Sequence, residues 1–170
     1  MRSRFLPEGR LLHTPENEAA CASCDGLRRA MEERTVLEGV AQLCDGAHNL
    51  LVSVGPFTGF LPREEAALGI AEGTTREIAI LSRVGKPVCF QITALEESEG
   101  VLRPRLSRRR AQQAALDAML AGLHPGCILP AVVTHLESFG AFVDIGCGVP
   151  SLIGIESISV SRIPHPDQRF

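Results

Sequence analysis

One short stretch constrains the fold of this chain more than any other: Phe-Gly-Ala-Phe-Val-Asp-Ile-Gly, at residues 139–146. Apolar residues occupy positions 139, 141, 143 and 145, and a second aromatic residue, Phe142, falls between them. Because successive side chains of a β-strand point to opposite faces, this period of two predicts a strand with one face in a core. Phe142 then lies on the other face, where an aromatic ring has no packing role unless something covers it.

Two further apolar segments flank this stretch. Residues 128–133 precede it, and residues 151–157 follow it after a glycine-rich turn at 146–150. Short apolar runs bounded by glycine and proline are typical of strands joined by turns. The sequence therefore predicts three strands that begin a small β-barrel.

In this region the chain resembles the RNA-binding domain of bacterial ribosomal protein S-one, a five-stranded oligonucleotide-binding (OB-fold) barrel. The family pattern runs from a glycine and an apolar strand through Phe-Gly-Ala-Phe-Val-Asp and a glycine turn to a strand like Gly-Leu-Val-His-Ile-Ser. Residues 139–146 match it closely, and residues 151–157 match its hydrophobic pattern. Gly154 stands where the family usually has histidine, which removes one expected RNA contact.

A similar pattern occurs earlier in the chain and indicates an internal repeat of domain size. Residues 40–55 parallel residues 132–146 once one inserted residue is allowed, and the residues that follow each turn, 59–62 and 151–154, also align. The chain therefore contains two copies of one strand pattern.

The first copy differs from the second at the positions of the aromatic rings. His48 and Leu51 stand where the second copy has Phe139 and Phe142, and Pro62 stands at the position of the family histidine. We therefore expect the outer face of the first copy to be depleted of stacking groups.

Apolar periodicity, turn residues and capping residues predict the remaining elements. The expected helices cover residues 15–33 (capped by Thr14), 63–68 and 108–121. The expected strands of the first copy cover residues 36–43, 50–54, a strand from 59, 77–82, 88–95 and 101–106.

These elements predict a mainly β protein of tandem five-stranded OB-fold barrels, the second truncated. The expected domains are an N-terminal lead-in and helix at 1–33, a divergent barrel at 34–108, a helical linker at 109–124 and an incomplete barrel at 125–170. Because the last two strands of the second barrel are missing, we expect a piece of a longer protein. Open strand edges in that barrel would favour self-association.

Composition sets limits on size and partners. With 170 residues, 45% hydrophobic and 22% charged, the chain has room for one or two small globular domains. Its net charge of -3 is uneven: residues 1–100 contain 10 Lys and Arg against 15 Asp and Glu, whereas residues 101–170 contain 7 against 5. The acidic balance argues against the first part as the main nucleic-acid surface.

The sequence shows no apolar run near the ~20 residues that cross a bilayer, and no secretory signal follows Arg2 and Arg4. We therefore expect a cytoplasmic protein without a membrane partner, in which the six cysteines are reduced. Cys21 and Cys24 lie on the first helix, where half a zinc site or a redox pair is the alternative to two partly buried small residues. Zinc would need two more ligands, and no second paired cluster follows.

The resemblance implies that single-stranded RNA binds by stacking its bases on Phe139 and Phe142. Burial of either ring in the core is the alternative that the residues leave open. His135, on the preceding strand, is a further candidate for stacking or for donation to phosphate, against a plain solvated histidine. A basic cluster supplies candidate phosphate contacts, unless it is only a solvated helix start: Arg103, Arg105, Arg108 and Arg109.

We find no motif for an enzyme, a catalytic residue, a metal or a cofactor. The expected function is RNA binding by tandem OB-fold domains in translation, with single-stranded RNA or mRNA as ligand and the ribosome as a candidate partner. One alternative is a protein-docking module of a ribosome-associated factor, which the acidic first half favours. A second is an accessory domain of a larger RNA-processing enzyme.

Overall fold

The computed structural model describes residues 5–170. Its helices are α1 (Pro15–Cys21), α2 (Cys24–Glu32), α3 (Ile78–Leu81), α4 (Arg108–Gly122) and α5 (Ile155–Ile158), with 3₁₀ turns at Arg63–Glu65 and Pro166–Gln168. Its strands are β1 (Leu37–Cys44), β2 (Leu50–Val54), β3 (Phe57–Leu61), β4 (Pro87–Ser98), β5 (Val101–Ser107), β6 (Val132–Glu137), β7 (Gly140–Asp144) and β8 (Pro150–Gly154). Residues 1–4 of the expected lead-in, with Arg2 and Arg4, lie outside the described residues.

The first five strands form a closed barrel in the order β1-β2-β3-β5-β4, with β4 paired back to β1. All pairings are antiparallel except that of β3 with β5, which is parallel through Phe60 and Arg105. The interior follows the expected alternation: Leu50, Val52 and Val54 of β2 are fully buried, and the residues between them are half-buried on the outer face. The mainly β class is confirmed, and a closed five-stranded barrel is the architecture expected of an OB fold.

Two local predictions before and within the barrel were wrong. The expected single helix at 15–33 is two helices, because Ser23 adopts an extended conformation and its hydroxyl accepts the Gly26 N–H as the cap of α2. The expected strand at 77–82 is the helical turn α3, in which Ile80 is buried while Ile78 and Leu81 are exposed. Its apolar residues are spread around a helical turn and do not line one face of a strand.

The second sheet is antiparallel, in the order β6-β7-β8. Pairing of β1 with β2 shifts by one residue at Gln42, and pairing of β6 with β7 shifts in the same way at Thr134. These positions coincide in the predicted repeat, so both copies share one bulge and one register. Within residues 5–170 the second sheet has three strands, so a second closed barrel is not present in this part of the chain.

Helix α4 packs between the two sheets. Its buried face, formed by Ala111, Ala115 and Met119, contacts Cys89 of the barrel and Cys147 of the turn between β7 and β8. The helix predicted at 108–121 is therefore present. It packs against both units and is not a free spacer between them.

A buried charged group joins the N-terminal segment to these elements. The Glu8 carboxylate accepts from Arg108 Nε at 2.6 Å, from Arg108 Nη2 at 2.9 Å and from Arg83 Nη1 at 2.7 Å. Its backbone N–H donates to Asp144 Oδ2, at 2.8 Å, on the second sheet. Burial alone would raise the pKa of Glu8, but the Arg108 and Arg83 guanidinium groups hold it below its usual value.

Arg108 therefore does not fit its predicted role as a phosphate contact. Its side chain is 6% exposed, its guanidinium is paired with Glu8, and its Nη1 donates to the Ala66 carbonyl. A phosphate would reach this group only if the buried pair opened. The structure instead makes Arg108 a link between the N-terminal segment, the barrel and α4.

Candidate nucleic-acid interface

Three rings gather on the outer face of the second sheet. His135 of β6 is the cross-strand partner of Phe142 of β7, with ring centroids 6.3 Å apart and an angle of 29° between the ring planes. Phe139, in the turn between the two strands, meets Phe142 edge-on, with centroids 6.1 Å apart and an angle of 85°. We call these three residues the aromatic cluster.

The aromatic cluster is open to solvent and lies outside the hydrophobic core. Phe139 is 54% exposed, and the side chain of His135 is 63% exposed. Phe142 is half-buried between the buried residues Ala141 and Val143, as alternation along a strand requires. Core burial of Phe139, the alternative left open by the sequence, does not occur.

Strand β7 begins at Gly140, and this explains how two phenylalanines three positions apart share a face. Phe139 precedes the strand, so strand alternation does not dictate the direction of its ring. A Cβ at Gly140 would collide with the backbone carbonyl of Ile153 on β8. Glycine at this position therefore allows β7 and β8 to approach closely behind the cluster.

Leu152 extends the exposed face on β8, and sequence reasoning missed it. It is the cross-strand partner of Phe142 and is 48% exposed. The sequence repeat could have indicated this residue, because Leu152 aligns with Phe60 of the barrel. His135, Phe142 and Leu152 thus form one row across the three strands.

Two carboxylates lie beside this row, and neither was predicted as part of a site. Glu137, two positions from His135 on β6, places Oε1 2.6 Å from His135 Nε2. The Glu156 carboxylate lies against Gly154, so a side chain at the position of the family histidine would displace it. The spacing of Glu137 from His135 was the available signal, since residues i and i+2 of a strand share a face.

The predicted arginines do not join the aromatic cluster. Arg103 and Arg105 lie on β5 of the barrel, where the Arg105 guanidinium is 5.7 Å from the Phe60 ring centroid and its Nη1 is 3.4 Å from Glu96 Oε1. Arg109 pairs with Glu72. The basic cluster of the sequence is thus divided between the barrel face, an exposed ion pair and the buried Arg108.

In the first copy, the outer face of the barrel corresponds to the sheet face that carries the aromatic cluster in the second copy. Beyond the shared bulge, Leu43 pairs with Leu51, where the second copy pairs His135 with Phe142. Leu43 is 54% exposed, so this face is apolar but lacks the paired rings. The predicted depletion of stacking groups on the first copy agrees with this geometry.

The structure gives no support to the zinc or redox alternative for Cys21 and Cys24. Cys21 is buried at the end of α1, and burial raises the pKa of its thiol to about 11, so the thiolate form is disfavoured near neutral pH. No group of three or more His, Cys, Asp or Glu side chains within residues 5–170 is placed to hold a metal ion. In the same part of the chain, no helix is long and apolar enough to cross a membrane.

No family model matches the chain. It is similar to several small ribosomal subunit proteins bS1, which are bacterial S-one proteins. The protein of Leuconostoc lactis is 30% identical over 134 residues, which cover 78% of this chain and 29% of that protein. The protein of Mycobacterium tuberculosis is 27% identical over 166 residues, which cover 95% of this chain and 32% of that protein. The protein of Neisseria meningitidis serogroup B is 26% identical over 159 residues, which cover 90% of this chain and 26% of that protein.

These matches confirm the resemblance to the S-one family, and they extend it over most of the chain. The chain spans only about a quarter to a third of the length of these relatives. Among solved structures, the solution structure of GSP13 from Bacillus subtilis matches with 19% identity and a TM-score of 0.33, over 56% of this chain and 63% of that one.

Proposed function

We propose that this S-one-like chain binds single-stranded RNA through the outer face of its second sheet. The observation that carries the proposal is the exposed aromatic cluster of Phe139, Phe142 and His135. The cluster lies on the strand pair that carries the Phe-Gly-Ala-Phe-Val-Asp motif of the family.

Base stacking supplies the physical reason. An unstacked base offers a flat π-face, and each base stacked on an aromatic ring contributes ~1–3 kcal/mol. Phe139 and His135 have most of their side-chain surface in solvent, so a base reaches them without rearrangement of the core. Leu152 beside Phe142 extends the apolar surface on which a base or its sugar would lie.

We place this binding in translation, with single-stranded RNA or mRNA and the ribosome as partners. Support comes from the name shared by the matched relatives, small ribosomal subunit protein bS1. A protein with this role works in the cytoplasm and binds without catalysing a reaction or using a cofactor. Because the chain spans only part of those relatives, this assignment concerns the role of a segment.

We also propose the tandem domain arrangement: a lead-in and helix at 1–33, a barrel at 34–108, a linking helix at 109–124 and a second barrel begun at 125–170. Support comes from the shared register and bulge of the two strand sets. In the first copy β4 and β5 cover the barrel interior, whereas Val133, which aligns with the fully buried Ala41, is 36% exposed. Two more strands, from further chain or from a second copy, would cover it.

Fluorescence anisotropy with a labelled single-stranded RNA tests the binding proposal. The full chain is compared with Phe139→Ala, Phe142→Ala and the control Phe170→Ala, which removes an exposed ring that is not a member of the aromatic cluster. We expect each cluster variant to lose ~1–3 kcal/mol of binding free energy and the control to bind like the parent chain. Equal affinity of all four proteins would reject the stacking role.

A second candidate function for the barrel face is protein docking. The observation that favours it is the row of Leu43, Leu51 and Phe60, which is apolar and lacks the paired rings of the second copy. Under this reading, Leu43→Asp reduces co-sedimentation with ribosomes while affinity for free RNA is unchanged. Loss of RNA affinity with normal ribosome binding would assign the barrel face to RNA.

A further inference from the structure

A carboxylate stands at the edge of the aromatic cluster, where a site for phosphate would carry cations. Glu137 shares a strand face with His135, and its Oε1 is 2.6 Å from His135 Nε2. The His135 ring in turn packs against Phe142. The side chain of Glu137 is 45% exposed, so its position is fixed by His135 while part of the carboxylate remains open to a ligand.

The segment that carries the cluster contains few cations. Residues 124–170 contain Arg162 and Arg169 as their only Lys or Arg, against the acids Glu137, Asp144, Glu156 and Asp167. Arg169 Nη2 donates to the Ser159 hydroxyl, at 3.3 Å, and neither arginine forms an ion pair with Glu137 among the described contacts. The contacts described on this face are those of rings and a carboxylate, and such groups bind bases.

A carboxylate distinguishes bases by their donors, because it only accepts hydrogen bonds. On its Watson–Crick edge guanine presents two adjacent N–H donors, from N1 and from the N2 amino group, which match the two carboxylate oxygens. Adenine and cytosine each offer an amino group beside a ring nitrogen that repels the second oxygen. Uracil offers a single N–H between two carbonyls, the least favourable edge.

We propose that Glu137 selects guanine among the bases stacked on the aromatic cluster. This inference rests on the RNA binding proposed above and adds base specificity to it. The base stacks on one ring of the cluster, with its Watson–Crick edge toward Glu137. His135 holds the carboxylate in that place and is a positioning residue for the contact.

Competition anisotropy tests the inference with four single-stranded octamers: all uridine, and uridine with a single guanine, adenine or cytosine at one central position. The proteins are the full chain, Glu137→Gln and the control Asp117→Asn, which alters an exposed acid on α4. A well-placed bidentate contact predicts about tenfold tighter binding of the guanine octamer by the full chain and the control. Glu137→Gln should lose this preference and bind the uridine octamer at least as well as the full chain.

The possible results separate the two proposals. Binding of all four octamers by the full chain with equal affinity overturns guanine selection and leaves RNA binding standing. A guanine preference that survives in Glu137→Gln overturns the role of this residue. No binding of any octamer overturns the proposed RNA-binding function, and base selection with it. Matching circular dichroism spectra and unfolding midpoints for the three proteins show that each variant is folded.

Discussion

Glu8 and Arg108, 100 residues apart in the chain, form a buried ion pair with a distance of 2.6 Å between Glu8 Oε1 and Arg108 Nε. Their side chains are 5% and 6% exposed. The pair connects the N-terminal segment to the start of α4, and the Glu8 backbone extends the connection to Asp144 on the second sheet. It thereby joins the elements that hold the barrel and the aromatic cluster in one arrangement.

Removal of one partner of this pair should destabilise the fold strongly. Glu8→Gln leaves the Arg108 guanidinium buried without its counter-charge, and breaking such a pair costs about 3–5 kcal/mol. Urea unfolding followed by circular dichroism measures the loss. Glu72→Gln, which breaks the exposed pair with Arg109, is the matched control and should leave the midpoint nearly unchanged. Equal midpoints for the two variants would contradict the role given to the buried pair.

Glu38 should make stability depend on pH between about 4.5 and 7. Burial raises the pKa of this carboxyl to about 7, although the backbone N–H groups of Gly9, Leu11 and Leu12 donate to it. Because the folded pKa lies above the unfolded value, the folded state binds more protons, and the free energy of unfolding falls as pH rises through this window.

Urea midpoints at pH values from 4.5 to 8 check the Glu38 prediction. Glu38→Gln, which cannot titrate, is the reference at each pH. As pH rises to about 7, the urea midpoint of the parent protein should fall relative to that of Glu38→Gln. Above about pH 7 the difference between the two midpoints should level off. A difference independent of pH would show that the folded pKa of Glu38 is not raised.

Gly140→Ala should separate β7 from β8. The added Cβ would meet the Ile153 carbonyl, a backbone atom that cannot rotate away, and overpacking of this kind costs about 1–3 kcal/mol. We expect a lower unfolding midpoint together with weaker RNA binding. Gly46→Ala is the control, because a Cβ there meets nothing within 4 Å. Parent-like stability of Gly140→Ala would show that the two strands tolerate a wider spacing.

Cysteine reactivity should follow burial. Cys127 is exposed, whereas Cys21, Cys89 and Cys147 are buried, and burial raises the pKa of Cys89 well above its usual value. Labelling of the folded protein with iodoacetamide, read by peptide mass spectrometry, should modify Cys127 first and the three buried thiols only after unfolding. Early modification of Cys147 would show that the contact between α4 and the second sheet opens in solution.

The barrel arginines should account for part of the salt dependence of RNA binding if RNA also crosses the barrel face. Neutralising one phosphate contact on single-stranded RNA changes the slope of log K against log salt by about 0.7. Arg105→Ala should reduce the slope by this amount, and the exposed Arg10→Ala should not. Phe142→Ala should lower affinity equally at low and high salt, since stacking involves no charge. An unchanged slope for Arg105→Ala would remove the barrel face from the RNA path.

Several features of the site were predictable because they depend on neighbours in sequence. Alternation places Phe142 on the outer face of its strand, and one inserted residue aligns the two copies down to the bulges at Gln42 and Thr134. Both are properties of short segments. The same kind of reasoning failed at residues 77–82, because a short apolar run suits a buried turn of helix as well as a strand.

The sequence by itself determined the barrel strands, the repeat and the outward position of Phe142, since period-two patterning and turn residues act locally. Only the tertiary structure decided the role of Arg108: its charge suggested a phosphate contact, but Glu8, distant in sequence, neutralises it in the interior. Tertiary packing likewise decided that α4 joins the two sheets and that Arg105 and Arg109 pair with Glu96 and Glu72, away from their predicted role at the aromatic cluster. Such outcomes depend on which distant residues meet, and a local pattern carries no information about that.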